Sequence, residues 1–368
     1  MVFLCLCSWA TVGNAWAYRL GEAEIKLHGG VSELYDDNIT YVKTDRVHDL
    51  ITRPTVGATA VYEGKTTRFT AEGNYYHEFY ADNSNFNNNS GNFTASLNSE
   101  LSKFDRISIG ESYTKTYEPR SFEDQFGYTG GRYSSSRNRV NLGYTRDMSA
   151  HTGLSVRYAN EINSYSRSDI SKSYLNTAGV EGAYIFSSDL SVFAAYDFSR
   201  RDFDPGSDAT TNTVSGGLRK YITKQLYFDG MAGADFIKSY SGRDYTKPMA
   251  MVSMTDDIND RTRGTLSFMK RFDTISYAQD LFDQWRVNAG LSHEITQKLS
   301  GSLSAFYGRG EYIGDAVVNK LLGSGVGLSY DINDNWKANA GYSFSRETSS
   351  GGGGYKKNTV TLGLTAEF

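Results

Sequence analysis

Apolar and polar residues alternate along nearly the whole chain after residue 18, in stretches of roughly ten residues. In residues 68–81, one face carries Phe, Ala, Gly, Tyr and His, and the other carries Arg, Thr, Glu and Asn. In residues 336–345, Trp, Ala, Tyr and Phe face away from Lys, Asn, Gly and Ser. This period of two predicts β-strands, because successive side chains point to opposite faces of a sheet. The pattern is weakest at residues 249–255, where both faces are apolar.

The connections between the predicted strands alternate in length. The short ones are rich in residues that favour tight turns, and they lie near residues 63–65, 102–105, 147–150, 187–189, 223–225, 257–260, 296–298 and 333–335. Longer polar connections lie around residues 36–48, 82–91, 118–134, 163–172, 201–210, 237–247, 273–284, 311–319 and 347–357. The count between them is about eighteen strands, with sixteen as the alternative, and both chain ends fall on the short-turn side.

The two faces of the predicted strands differ in chemistry. The apolar face suits lipid tails, whereas the face rich in Arg, Glu, Asp, Asn and Ser suits a wet lumen better than a dry core. A sheet in a membrane must close, because an open edge would leave backbone groups unpaired in hydrocarbon. We therefore predict that residues 18–368 form an all-β, transmembrane antiparallel up-and-down β-barrel. Tyr75 and Tyr80, near strand ends, are expected in an aromatic girdle at the membrane interface.

Residues 1–17 differ from the rest of the chain. They form a short apolar stretch that ends in Ala15, Trp16 and Ala17, the small-residue pattern at which signal peptides are cleaved. No Lys or Arg precedes this stretch, so one feature of a signal peptide is missing. We predict a signal peptide at residues 1–17 and, after its cleavage, a barrel in the outer membrane of a Gram-negative bacterium.

Composition narrows the chemistry further. Both cysteines, Cys5 and Cys7, lie in the predicted signal peptide, so the mature chain would have no thiolate for catalysis or metal binding. The five histidines show no metal-binding spacing. A formal net charge of −4 gives no electrostatic case for nucleic acid. We therefore expect no enzyme activity, no metal, no cofactor and no nucleic-acid partner.

Two stretches near the N-terminus resemble a known family. They are Val31–Asn38, with the sequence VSELYDDN, and the run from Asp49 through Ile51 to Pro54. Both are similar to the first strand and loop of the outer-membrane barrels in the family Putative beta-barrel porin 2. Elsewhere only the rhythm of hairpins agrees. The resemblance implies a porin-like channel, of a kind often linked with surface-polysaccharide systems, and it brings no catalytic residues.

The last residues, KNTVTLGLTAEF, continue the alternation as far as Phe368. They resemble the signal that the barrel-assembly machinery reads in outer-membrane proteins. Thr361 matches its polar position, Gly363 its glycine and Phe368 its terminal aromatic. The resemblance implies that this machinery is a partner of the chain. We also expect the last strand to pair with the first near Ile25 and Leu27, and so to close the barrel.

Inward-facing charges are the candidate functional residues, since a ring of charged side chains can bias ion passage. Such residues also pair across strands and merely keep a wall wet. The predicted pore-lining residues are Arg68, Glu72, Glu78, Arg137, Arg139, Arg157, Glu161, Glu181, Asp197, Arg219, Asp229, Asp235, Arg263 and Arg286. The longest loop, residues 118–134, is the candidate constriction, in which Arg120, Glu123, Asp124 and Arg132 would set a field across the pore.

One function is favoured and two alternatives remain. A barrel of about eighteen strands leaves room for an aqueous channel, so we expect passive diffusion of small hydrophilic solutes or ions. The barrel of a surface-polysaccharide export system is one alternative, which a row of inward aromatics would favour; the candidates are Tyr76, Phe193, Tyr221, Tyr227 and Phe306. A sleeve around a partner such as an electron-transfer cytochrome is the other. The even lipid-facing stripe leaves a monomer and a homotrimer both open.

Overall fold

The computed structural model describes residues 18–118, 132–276, 278–314 and 316–368. The first ten strands are β1 (Tyr18–Leu20), β2 (Ala23–Asp36), β3 (Asp49–Glu63), β4 (Thr67–Tyr80), β5 (Asn88–Glu100), β6 (Asp105–Thr116), β7 (Ser135–Asp147), β8 (Thr152–Tyr165), β9 (Lys172–Ser187) and β10 (Leu190–Asp204). The others are β11 (Asp208–Tyr221), β12 (Leu226–Lys238), β13 (Asp244–Asn259), β14 (Thr262–Thr274), β15 (Leu281–Glu294), β16 (Leu299–Tyr312), β17 (Val318–Asp331), β18 (Trp336–Ser349) and β19 (Gly354–Glu367).

Other secondary structure is sparse in the described ranges. A 3₁₀ turn at Ser84–Phe86 joins β4 to β5. Within the described part of the chain, no helix has the length and hydropathy that a membrane-crossing helix requires. The predicted signal peptide, residues 1–17, lies outside the described residues, so its cleavage stays a prediction.

Strands β2 to β19 form one closed antiparallel barrel of eighteen strands, which confirms the predicted fold and the higher of the two strand counts. Each strand pairs with the next in the chain, and β19 closes the ring on β2. Phe368 exchanges two backbone hydrogen bonds with Leu27, of 2.8 and 3.1 Å, as predicted. Ile25 lies beyond the end of β19 and pairs instead with Tyr18 of the short strand β1, which pairs with the first residues of β2.

The connections differ between the two ends of the barrel. At the end that holds Tyr18 and Phe368, the turns contain two to four residues. At the other, here called the loop end, they contain three to eighteen residues. The alternation of lengths is as predicted, but the strands rise further than expected. The loop predicted at residues 201–210, for example, is only 205–207, because residues 200–202 are polar on both faces and yet remain strand.

Exposed apolar side chains mark the outer face of the wall. Val56, Leu303 and Leu362 are 61, 52 and 59% exposed. Alternate residues on the same strands face the lumen, because side chains of a strand alternate between its two faces. Packed apolar side chains are concentrated elsewhere: three buried clusters, centred on Ile39, Ile237 and Leu321, lie at the loop end of the barrel. The buried apolar side chains are therefore grouped at one end of the barrel and do not fill the lumen.

Candidate functional site

Charged side chains on the lumen face pair across neighbouring strands. Arg157 of β8 donates two hydrogen bonds to Asp197 of β10, at 2.9 and 2.6 Å, and one to Glu181 of β9, at 3.2 Å. Gly179 of β9 lies beneath the Arg157–Asp197 pair, where a Cβ would collide with both groups. The glycine thus lets an ion pair span three strands. Bidentate pairing of this kind fixes both side chains in place against the wall.

The other predicted pore-lining residues lie on the same face in smaller groups. Arg137 and Arg139 of β7 approach Glu161 of β8 to 3.7 and 4.0 Å. Arg219 of β11 and Asp229 of β12 form a bidentate pair, at 2.5 and 3.1 Å. The rest are spread around the wall: Arg68 beside Glu63, Glu72 bonded to Asn74, Glu78 beside Arg53, Asp235 bonded to Thr213, Arg263 beside Asp257 and Arg286 over the ring of Phe306. That they line a conducting pore stays a prediction.

The wall formed by β16 to β19 has a different character. Its lumen face carries mostly small residues, among them Ser300, Ser302, Ser304, Gly323, Gly325, Gly327, Gly341, Ser343, Ser345, Thr359, Thr361 and Gly363. The ring of Phe306 lies over Gly323, where a Cβ would collide with it. In a ring of eighteen strands β18 stands opposite β9. One side of the lumen is therefore charged, and the side that faces it is small and polar.

Arg132, which precedes β7, lies inside the loop end of the barrel. Its side chain is 4% exposed and lies 3.6 Å from Glu78. It donates hydrogen bonds to the Ile39 carbonyl, at 3.0 Å, and to the Tyr80 hydroxyl. Burial opposes its charge, but Glu118, Tyr80 and Glu78 outweigh that effect and raise the pKa of the Arg132 guanidinium. Arg132 therefore stays charged and ties the β6–β7 connection to the β2–β3 connection and to β4.

Lys357 of β19 holds the β2–β3 connection in the mouth. Its ammonium lies 2.8 Å from Asp36, 3.2 Å from Glu118 and 3.9 Å from the centre of the Tyr41 ring. Lys357 is 6% exposed and Asp36 is fully buried. Buried charges are costly without a partner of opposite sign, so each depends on the other. Tyr41 also packs edge-on against Tyr355, with ring centres 5.0 Å apart.

The hairpin of β14 and β15 bends into the lumen at the loop end. β13 and β14 are paired only below Ala250, although β14 continues past that point to pair with β15. The backbone N–H of Phe272, freed from β13, donates to the Asp235 carboxylate on the lumen face of β12. The Phe272 side chain is 5% exposed and packs in a buried cluster with Ile237 of β12 and Leu281 of β15. The end of β14 has therefore left the wall and lies over its inner surface.

The connection between β14 and β15 reaches strands on another side of the mouth. The Ser276 hydroxyl lies 2.7 Å from the Tyr165 hydroxyl of β8, and its carbonyl accepts a hydrogen bond from Ser173 of β9 at 2.9 Å. Gln279 accepts a hydrogen bond from the hydroxyl of Ser207, at 2.7 Å. Along the chain, Tyr165 lies six strands and Ser173 five strands before β14, whereas Ser207 lies between β10 and β11. The connection is thus docked across the lumen.

Two inward-folded segments meet at the loop end. Ile275, in the hairpin tip (residues 275–280), belongs to a buried cluster with Leu321 of β17 and Tyr355 of β19. Tyr41, from the β2–β3 connection, packs against the same cluster. The hairpin tip and the β2–β3 connection therefore pack together within the loop-end mouth. We name this arrangement the mouth constriction.

The mouth constriction agrees only in part with the sequence predictions. Arg132 contacts it through the Ile39 carbonyl. Arg120, Glu123 and Asp124 lie outside the described residues, so their part in a constriction stays a prediction. The expectation that Tyr80 belongs to a membrane girdle is wrong. Tyr80 is 3% exposed and lies inside the lumen beneath the Arg132 guanidinium. Its position at a strand end was compatible with either face. Side chains of β4 alternate between the two faces, and Tyr80 lies two residues from the inward-facing Glu78, so it also faces inward.

The sequence analysis predicted a longer polar connection around residues 273–284, but it did not predict that this connection folds into the lumen. The available signal was the group Phe272, Ile275, Leu281 and Phe282, four apolar residues that fall on both faces around a polar connection. Large apolar side chains on both faces are unusual at the rim of a barrel whose lumen is wet, and they indicate packing on both sides. Among the described residues, no three His, Cys, Asp or Glu side chains are grouped as a metal site would require.

Solved outer-membrane structures share this fold. The outer membrane protein opdK from Pseudomonas aeruginosa superposes with a TM-score of 0.51 at 10% identity, over 94% of this chain and 99% of that protein. OccAB4 from Acinetobacter baumannii superposes with a TM-score of 0.50 at 9% identity, over 95% of this chain and 99% of that protein. The copper transporter OprC superposes with a TM-score of 0.49 at 13% identity over 92% of this chain. This chain spans 63% of the length of OprC. The likenesses to opdK and OccAB4 show the barrel fold. No curated protein sequence matches the chain.

A family model matches the last strands. The match covers residues 282–368, from β15 through β19, and leaves the N-terminal stretches on which the resemblance was first noted outside the matched range. It includes the strand that closes the barrel and the terminal Phe368. Over residues 282–368 the chain matches the family Putative beta-barrel porin 2, which confirms the resemblance.

Proposed function

We propose that this protein is a porin-like channel of the outer membrane, through which small hydrophilic solutes or ions diffuse passively. The observation that carries the proposal is a closed eighteen-strand barrel whose outer face is apolar and whose lumen face is polar. Barrels of sixteen to eighteen strands are wide enough for an aqueous channel, whereas barrels of about eight fill with side chains. The family match and the shared fold with opdK support the proposal.

The proposed mechanism is physical. The lumen wall offers hydrogen-bond partners that replace part of a solute's hydration, and the mouth constriction limits the size of what passes. Among the described residues near the constriction, the carboxylates of Asp36, Glu78 and Glu118 are paired with Lys357, Arg132 and Arg53. Because most lumen charges are also paired across strands, we expect weak selectivity between cations and anions. The proposal assigns no reaction to the protein.

Two alternatives are less well supported. Polysaccharide export would need a track of inward aromatics, but the rings of Phe193 and Phe306 each lie over a glycine of the next strand, Gly217 and Gly323. Packing against the wall accounts for both rings without a sugar chain. A sleeve around a partner protein would need a wide bore, whereas the mouth constriction narrows the loop end.

The location follows from the same proposal. After cleavage of residues 1–17, the barrel would be inserted into the outer membrane of a Gram-negative bacterium by the barrel-assembly machinery. Thr361, Gly363 and Phe368 would serve as the assembly signal, with Phe368 at the seam of the closed barrel. Outer-membrane lipid would surround the apolar face. Whether the barrel acts as a monomer or a homotrimer is open.

Solute flux tests the proposed function. Purified protein would be reconstituted into liposomes, and swelling would be followed with neutral sugars of increasing size. We expect rapid swelling with monosaccharides and a steep fall with tri- and tetrasaccharides, because the mouth constriction narrows the path. Heat-denatured protein from the same preparation is the control. Swelling no faster than that control with the smallest sugar would refute the channel.

A further inference from the structure

Four basic residues form a group on the outer face of four adjacent strands, at the loop end. They are Arg309 of β16, Lys320 of β17, Arg346 of β18 and Lys356 of β19, and all four are exposed. Arg309 stands directly opposite Lys320, and Arg346 directly opposite Lys356. Side chains opposite each other on one face of a sheet have Cβ atoms about 5 Å apart. We name these four residues the basic cluster.

The parity of the strands places the basic cluster outside the barrel. Leu303 and Tyr307 share the face of Arg309 on β16, and they are 52 and 41% exposed. Leu322, two residues from Lys320, is 46% exposed, whereas the intervening Leu321 is buried in the mouth constriction. The apolar outer band therefore continues up to the cluster, and the cations begin where it ends.

The cluster is poor in compensating carboxylates. Glu311 approaches Arg309 to 3.4 Å. Elsewhere in the described ranges, no carboxylate lies within ion-pair distance of Lys320, Arg346 or Lys356. Other outward cations near the loop end are isolated on their strands or are paired. Arg200, for example, lies between Asp202 and Asp208, at 2.8 and 3.5 Å.

A groove accompanies the charge. An open cavity of about 660 Å³ is lined by Tyr307, Arg309, Lys320 and Thr348, together with Val318, Ser349 and Ser350. Tyr307 packs edge-on against Trp285 of β15, with ring centres 5.5 Å apart. Tyr and Trp pairs of this kind sit at the level of lipid headgroups. The groove therefore lies at the level of Arg309 and Lys320, with Tyr307 on its lipid side and Val318, Ser349 and Ser350 on its loop side.

We propose that the basic cluster binds the phosphorylated headgroup of an outer-leaflet lipid. The inference rests on the outer-membrane location proposed above, in which the longer loops face the outside of the cell and the short turns face the periplasm. Such a lipid has its phosphates at the membrane surface and its acyl chains below, which matches cations placed directly above an apolar wall. Arginine contributes planar donors suited to phosphate oxygens, and lysine contributes compact charge. The groove offers a place for the sugar or glycerol part of the headgroup beside Thr348 and Tyr307.

Lipid retention tests the proposal independently of channel activity. Protein purified in a non-ionic detergent would be titrated with bisphosphorylated lipid A, and bound lipid would be counted by native mass spectrometry. The test variant is K320Q/R346Q/K356Q. The matched control is K115Q/K172Q/K238Q, which removes the same charge from dispersed, outward positions near the same end. Heat-modified electrophoretic mobility would show that each variant is folded, and K320Q alone would be used if the triple variant were not.

We expect wild type and the control variant to retain bisphosphorylated lipid A equally. The cluster variant should bind it on the order of 100-fold more weakly, from the contribution of each basic residue near an anionic membrane surface. Equal affinity of the cluster variant and wild type would overturn the proposal. So would equal losses in both triple variants, or equal retention of dephosphorylated lipid A by wild type. Conductance recorded on the same preparations would show separately whether the protein forms a conducting channel.

Discussion

Replacing Lys357 by methionine should loosen the mouth constriction while leaving the barrel closed. Methionine keeps much of the side-chain length and its contact with the Tyr41 ring, but it removes the ammonium that lies 2.8 Å from Asp36. Asp36 is fully buried, and the backbone N–H of Asn38 is then left as its main hydrogen-bond donor. The change therefore isolates one buried carboxylate.

The cost of that isolation can be estimated in two ways. Leaving a buried charge without its partner costs about 3–5 kcal/mol. Protonating a carboxylate of ordinary acidity at pH 7 costs about 4 kcal/mol. Neither route is cheap, so the variant should instead release the β2–β3 connection, which lets water reach Asp36. A bias of about 3 kcal/mol shifts the balance between docked and released connection by more than 100-fold.

Single-channel recording in a neutral-lipid bilayer measures this shift. We expect K357M to spend most of its time in a higher-conductance state at pH 7, and less at pH 5, where Asp36 is protonated at lower cost. The neighbouring variant K356M is the control, because Lys356 points outward and is exposed. The role of the Lys357–Asp36 ion pair would be refuted if K357M matched both wild type and K356M in conductance and in the free energy of unfolding in urea.

Three further predictions follow from the wall and its seam. Phe368→Asp should abolish insertion into the outer membrane while secretion across the inner membrane continues; normal outer-membrane levels on fractionation would contradict the assembly role. Gly310→Ala should lower the free energy of unfolding, measured in urea, by about 1–3 kcal/mol, because the added Cβ would collide with the Phe282 ring. Gly341→Ala, whose Cβ meets only an ordinary contact, is its control, and equal effects would contradict the reasoning. Reversal potentials in a KCl gradient should lie near zero, and a strongly ion-selective channel would show that the lumen charges are not balanced.

The barrel itself was predictable because its strands and turns are specified by residues that are close together in the sequence. A period of two assigns each side chain to a face, and alternating connection lengths assign each turn to an end, so eighteen strands and the pairing of Phe368 with Leu27 follow from the sequence. The adjacent lysines Lys356 and Lys357 show the strength of this rule. One faces outward and is exposed, and the other is buried in the lumen, as parity alone requires.

The mouth constriction was not predictable in the same way. Alternation tells which face of a strand a residue occupies, but it does not tell where a strand leaves the wall. Phe272 lies on the face that is lipid-exposed lower on β14, and it is buried because β14 bends inward over β12. The contact between Ser276 and Ser173 joins residues 103 apart in sequence and depends on that bend. Such contacts come from tertiary packing at the rim.

The most direct test of the account compares single-channel conductance in two proteins. One is the wild type, and the other has the hairpin tip, residues 275–280, replaced by an Asn-Gly turn that joins β14 to β15. The tip contributes to the mouth constriction and not to the closed wall. We predict that both proteins conduct and that the shortened one conducts more. Equal conductance would contradict the mouth constriction, and the absence of conductance in both would contradict the channel.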